Sequence, residues 1–101
     1  MKDKIIFITG ATSGIGEGCA RKFASEGANL ILNGRNQDKL NELKVELEAD
    51  FGIEVLLLPF DVRDRERAKV EIESLEGKWK SIDVLVNNAG LVIGFDKEFE
   101  G

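Results

Sequence analysis

Apolar residues fall along this chain in four short runs, separated by longer stretches where they recur every three or four positions. The runs lie at residues 5–8, 29–33, 54–58 and 82–86. They hardly alternate with polar residues, which suits strands buried on both faces, as in a parallel sheet covered by helices. The spaced stretches predict helices over residues 14–26 and 37–50, and a third that starts after Asp64 as N-cap. On the first, Ile15, Cys19 and Phe23 fall at i, i+4 and i+8 with Ala20 and Ala24 beside them, a face expected to meet the sheet. Leu40, Leu43 and Leu47 mark the core face of the second, and Ala68, Ile72 and Leu75 that of the third. Gly27 is placed to cap the first helix, and Pro59 to stop the third strand. Gly77–Lys80 reads as a connector with Trp79 packed over a helix end, and residues 91–101 read as a loop.

The resulting order is βαβαβαβ. Strands alternating with helices through short connections imply an α/β fold, a three-layer Rossmann-type half with a parallel sheet and right-handed crossovers. In a dinucleotide-binding half the strand order is 3-2-1-4, and ligands bind where the carboxyl ends of strands 1 and 4 meet. Two glycine-bearing polar loops would then converge from about eighty residues apart: Gly10–Gly16 after the first strand and Asn87–Gly90 after the fourth. The glycines at 10, 14 and 16 permit a sharp turn and close approach of something bulky. The helix that follows opens with unpaired N–H groups, a natural seat for phosphate.

Composition narrows the partners. The 101 residues form one domain at most, 43% hydrophobic, with net charge −5 from 14 basic and 19 acidic residues. No basic block is present, which argues against a nucleic-acid surface. Neither a secretory leader nor a spanning segment is visible, so a cytoplasmic location without membrane partners is expected. The single cysteine, Cys19, excludes an internal disulfide and a cysteine-cluster metal site, and reads as a small core residue rather than a reactive thiol. Histidine and tyrosine are both absent.

Thr9-Gly10-Ala11-Thr12-Ser13-Gly14-Ile15-Gly16 resembles the TGxxxGIG signature of short-chain dehydrogenases/reductases, and Asn87-Asn88-Ala89-Gly90 resembles their NNAG signature. Asp61-Val62 is similar to the acidic pair after their third strand. Within the family, the stretches 33–36 and 85–91 look most like the NADP-dependent 3-hydroxy acid (serine-type) dehydrogenases. The resemblance implies that Gly10, Ala11, Thr12, Ser13, Gly14, Ile15 and Gly16 wrap the pyrophosphate, with Thr12 and Ser13 as hydroxyl donors. It implies that Asp61 accepts from the adenine amino group while Val62 donates its N–H to the ring. Asn88, Ala89 and Gly90 would line the adenosine ribose, and Asn87 would tie neighbouring loops. Asp61 has a plainer alternative, capping the turn before the third helix.

The dinucleotide is expected to be NADP rather than NAD. An NAD site ends the second strand in a carboxylate for the ribose 2′-OH, whereas arginine accommodates the 2′-phosphate of NADP. Here Gly34 stands at the strand end and Arg35 follows, with Asn36 as a helper. Some NADP enzymes of the family carry a basic residue just before the second motif glycine, where this chain has Ser13. The family's general acid is the tyrosine of a YxxxK motif beyond the fourth strand, and this chain contains no tyrosine. The expectation is therefore an incomplete dinucleotide-binding domain over residues 1–101, the fold ending after strand four and the catalytic half absent. The alternative is a non-catalytic nucleotide-binding or interaction module. The open edge of the fourth strand predicts self-association or a completing polypeptide.

Overall fold

The computed structural model describes residues 1–88. Its elements run β1 (Ile5–Thr9), α1 (Gly14–Ser25), β2 (Asn29–Asn33), α2 (Gln37–Phe51), β3 (Val55–Leu58), α3 (Arg65–Glu73), a 3-10 turn (Gly77–Lys80) and β4 (Val84–Asn87). The strands form one sheet in the order β3-β2-β1-β4, every pair parallel. This is the expected α/β architecture and strand order. The fourth strand starts two residues later than the sequence suggests, because Asp83 is spent on securing it. Its carboxylate accepts from the Ile5 N–H at 2.8 Å, and its own N–H donates to the Ile5 carbonyl at 2.8 Å.

Strand side chains point alternately to opposite faces, so β1 feeds two cores. Ile6 and Ile8 pack with Leu30 and Leu32 against Ala20, Ala24, Leu40, Leu43 and Leu47 of α1 and α2. Ile5, Phe7 and Ile31 pack on the other side with Phe60, Val62, Ala68 and Leu75. Trp79 lies half-buried against that second core, as expected of a packing residue. All five β1 residues are buried, which is why its sequence shows no polar alternation.

The inward face of α1 differs from the expected one in its first turn. Ala20 and Ala24 are buried and Cys19 and Phe23 pack half-buried against the core, as expected, but Ile15 is 74% exposed and Gly16 takes the innermost place at the helix start. The cause is proximity. A Cβ on Gly16 would stand 2.1 Å from the Gly10 carbonyl oxygen, so the helix start lies directly on the turn and only small residues fit beneath it. At its other end the helix closes as predicted, with Gly27 at φ +87° donating its N–H to the Ala24 carbonyl.

Among the described residues no helix is long and apolar enough to cross a membrane, and no cluster of His, Cys, Asp or Glu could hold a metal ion. Ala89 and Gly90 lie outside the described residues, as does the loop expected at 91–101.

Candidate functional site

The parallel registers pair Thr9 with Asn87 and Asn33 with Leu58, so the carboxyl ends of all four strands reach the same edge of the sheet. The loops leaving that edge carry nearly every residue singled out by sequence. Their arrangement follows from three local ties.

The first tie centres on the Gly10 carbonyl. Gly10 takes φ +62°, a conformation that suits glycine, and the chain folds back so that the Ser13 N–H donates to its oxygen at 3.2 Å. The Ser13 hydroxyl donates to the same oxygen at 3.0 Å while accepting from the Gly16 N–H at 3.1 Å, which makes it the N-cap of α1. From seventy-five residues away, Asn88 donates through Nδ2 to Ser13 Oγ at 2.7 Å and to the Gly10 carbonyl at 3.0 Å. The two glycine-bearing loops therefore meet. Asn87 makes the neighbouring tie, its Oδ1 accepting from the Thr9 hydroxyl at 3.1 Å. Ser13 and Asn88 are thus engaged in building the turn, and Thr12 is left with a hydroxyl that bonds no described residue.

The second tie was not read from the sequence. Asn33, only 2% exposed, donates through Nδ2 to the carbonyls of Leu58 at 3.0 Å and Phe60 at 2.9 Å. Pro59 between them has no N–H, so this amide holds the end of β3 where a ladder bond is impossible. The Asn33 carbonyl meanwhile accepts from the Ala11 N–H at 2.8 Å, fastening β2 to the glycine turn. Ala11 itself is fully buried. Its contribution is backbone.

The third tie joins Asp61 to Arg63. Oδ1 accepts from the Arg63 N–H at 2.9 Å, and the guanidinium grips the carboxylate with Nη2 at 2.8 Å from Oδ2 and Nε at 3.1 Å from both oxygens. Arg35 is also near, Nη1 3.9 Å from Oδ2. The fork from Arg63, then its backbone N–H, lowers the Asp61 carboxyl from 3.8 to about 2, so it is ionised at any physiological pH. Asp61 also closes the turn before α3, its carbonyl accepting from the Asp64 N–H at 2.9 Å. The plainer role foreseen for it is real, and it leaves the side chain available to the cleft.

A cleft of about 390 Å³ gathers these parts. It is lined by Gly10, Thr12 and Ser13 from the turn after β1, by Asn33, Gly34 and Arg35 from the end of β2, and by Phe60, Asp61, Val62 and Arg63 from the loop after β3. Of the lining residues, Asn33, Gly34, Phe60 and Arg63 carried no site assignment from the sequence. Arg63 had a signal, since a cation two positions after an aspartate can reach back to it. Among the expected residues, Asn36 caps α2 with Oδ1, accepting from the Lys39 N–H at 3.1 Å, which leaves only its amide donors for any ligand. Ile15 is at the surface beside the turn.

Two features make the cleft suited to a phosphorylated dinucleotide. The N–H groups of Gly14 and Ile15 have no acceptor among the described residues and stand at the positive end of α1. A Cβ on Gly14 would meet nothing within 4 Å, so the fold does not need glycine there, whereas a molecule lying against the turn would. After β2, Gly34 offers no carboxylate, and a Cβ there would press on the Thr12 methyl at 3.2 Å. Arg35, 71% exposed, is the cation at the mouth.

Known proteins share this framework. The NADP-dependent 3-hydroxy acid dehydrogenase YdfG of Salmonella typhi is 45% identical over 92 residues, covering 91% of this chain and 36% of that protein. Sulfoacetaldehyde reductase 2 of Chromohalobacter salexigens is 43% identical over 89 residues, covering 88% of this chain and 34% of the enzyme. Among solved structures, L-sorbose reductase of Gluconobacter frateurii, complexed with NADPH and L-sorbose, superposes with a TM-score of 0.82 at 40% identity, over 90% of this chain and 35% of that one. The chain thus spans about a third of the length of the relatives it matches. The sequence match to the short chain dehydrogenase family extends over residues 4–100 and takes in the glycine turn, the Asp61 loop and the asparagine pair at the end of β4. On sequence and fold together, the chain belongs to the short-chain dehydrogenase family.

Proposed function

We propose that this chain binds NADP(H) and forms the cofactor-binding portion of an oxidoreductase that moves a hydride between NADP and a hydroxyl or carbonyl substrate. A 3-hydroxy acid is the first substrate class to try, following the names of the most similar relatives. One observation carries the reading. The glycine turn and Arg35 line the same cleft, at a β2 end that holds no acid.

The residues fit the cofactor part by part. The N–H groups of Gly14 and Ile15, without an acceptor among the described residues, and the Thr12 hydroxyl would hold the pyrophosphate, with the turn braced by Ser13 and Asn88. Asp61 and the Val62 backbone would take the adenine edge, and Arg35, helped by the Asn36 amide, the 2′-phosphate. When bound, the nicotinamide ring supplies or accepts the hydride. The family's proton donor is a tyrosine, and none occurs in the 101 residues. This chain by itself is therefore expected to bind cofactor without interconverting alcohol and ketone.

Calorimetric titration of the chain with NADP and NAD, repeated on Arg35→Ala, tests the proposal. A charge-assisted contact to phosphate predicts NADP tighter than NAD by about tenfold or more, with the difference lost in Arg35→Ala. Absence of binding by a chain shown to be folded by circular dichroism overturns the proposal. The motifs would then serve as architecture alone.

A further inference from the structure

The Asp61 carboxylate has more partners than the adenine role leaves room for. Arg63 occupies both of its oxygens, and Arg35 stands 3.9 Å from Oδ2. A carboxylate offers about four lone-pair sites, and the Arg63 side chain and backbone already make four contacts to it. An adenine amino group could bond Asp61 only where the fork opens. Opening is cheap, because both arginine side chains are more than half exposed and an exposed ion pair contributes little.

We propose that Arg63 is a second residue selecting the 2′-phosphate, parked on Asp61 until the adenosine end of the cofactor arrives. The geometry supplies the reason. Arg63 Nη2 and Arg35 Nη1 lie 2.8 and 3.9 Å from the same Oδ2, so the two cations flank one anionic position, and both line the cleft. Together the three side chains carry a net single positive charge. A 2′-phosphate brings roughly two negative charges and three acceptor oxygens, enough to occupy two guanidiniums. Once the adenine amino group has taken one carboxylate oxygen, the released Arg63 fork has that phosphate as its nearest new acceptor. NAD offers none. Even when released, the Arg63 charge stays two residues from Asp61 and offsets the repulsion between that carboxylate and the phosphate. Both effects act in the same direction, raising preference for the phosphorylated ribose.

The inference rests on the NADP reading, and its test separates the two. The full chain, Arg35→Ala, Arg63→Ala and Arg63→Lys are titrated with adenosine 2′,5′-bisphosphate and with adenosine 5′-monophosphate, which differ only at the 2′ position. In Arg63→Ala, preference for the bisphosphate should fall about tenfold while affinity for the monophosphate holds or rises. Arg63→Lys, which keeps the charge and loses the fork, should fall between. In the unsubstituted chain the Arg63 Nε–H resonance should shift on adding the bisphosphate, and much less on adding the monophosphate. If Arg63→Ala weakens both nucleotides equally, or neither, Arg63 has no selecting role. Should Arg35→Ala lose the preference while Arg63→Ala keeps it, the NADP reading stands and this inference falls. If the folded chain binds neither nucleotide, both fall.

Discussion

Gly14 and Gly16 stand two positions apart in one turn and answer to different constraints. A Cβ on Gly16 would lie 2.1 Å from the Gly10 carbonyl oxygen and 2.9 Å from the Ala11 Cα, backbone atoms that have nowhere to move. Gly16→Ala should therefore destabilise the chain by about 1–3 kcal/mol, the usual range for overpacking, and urea denaturation measures it directly. Gly14 has open space around its α-carbon, and Gly14→Ala should leave stability within about 0.5 kcal/mol. Its penalty should show in calorimetry instead, as weakened NADP binding where the new methyl meets the pyrophosphate. An early-melting Gly14→Ala chain would mean that the glycine serves the fold after all. Equal NADP affinity in that variant would remove the pyrophosphate from the turn.

At the scale of elements, three helices begin on side-chain caps: Ser13, Asn36 and Asp64 each accept from the N–H three residues on. Ser13 lines the cleft and Asn36 directly follows Arg35, which does, so α2 gives a clean separation of the two duties. Aspartate caps as well as asparagine and suits the positive helix start, so Asn36→Asp should leave the thermal midpoint almost unchanged. It also puts a carboxylate next to Arg35 in sequence, just past the end of β2, where this chain has no acid. NADP affinity should fall by about tenfold and the preference for NADP over NAD should narrow, as nucleotide titrations would show. Much of this arrangement was legible in the sequence. The four strands were visible because both faces of the sheet are covered. Of the three caps only Asp64 was, because it directly precedes a helical period; Ser13 and Asn36 stand in stretches that read first as ligand contacts. On α1 only the first turn differs, Ile15 lying outside and Gly16 inside, because periodicity weights large apolar residues while a helix start pressed on a turn admits only glycine. Asn33 and Arg63 were missed for another reason. Their roles depend on where β3 ends and on a side chain turning back two residues, which no pattern of apolar spacing records.

At the scale of the molecule, the two outer strands of the described sheet differ in how they meet solvent. β3 is short, ends at Pro59, and has its first residue plugged from α2: the Val55 N–H donates to Glu48 Oε2 at 3.0 Å and its carbonyl accepts from Lys44 Nζ. Such side chains block pairing with another strand. On the opposite side β4 pairs with β1, and among the described residues no side chain plugs Val84 or Leu85 in the same way. Val84, Leu85 and Val86 are all only partly buried. Among the described residues nothing pairs with the outer side of β4, and an edge of this kind with half-exposed valine and leucine is a template for a further strand. This 101-residue chain should accordingly self-associate through β4 as its concentration rises. Sedimentation velocity over a wide concentration range would show growth of a heavier species. Hydrogen exchange at the two extremes should add protection at β4 amides and leave those of β3 as they were. A single monomeric boundary throughout would show that the β4 edge is closed in solution. Protection gained at β3 instead would place the contact on the edge that the lysine and glutamate of α2 guard.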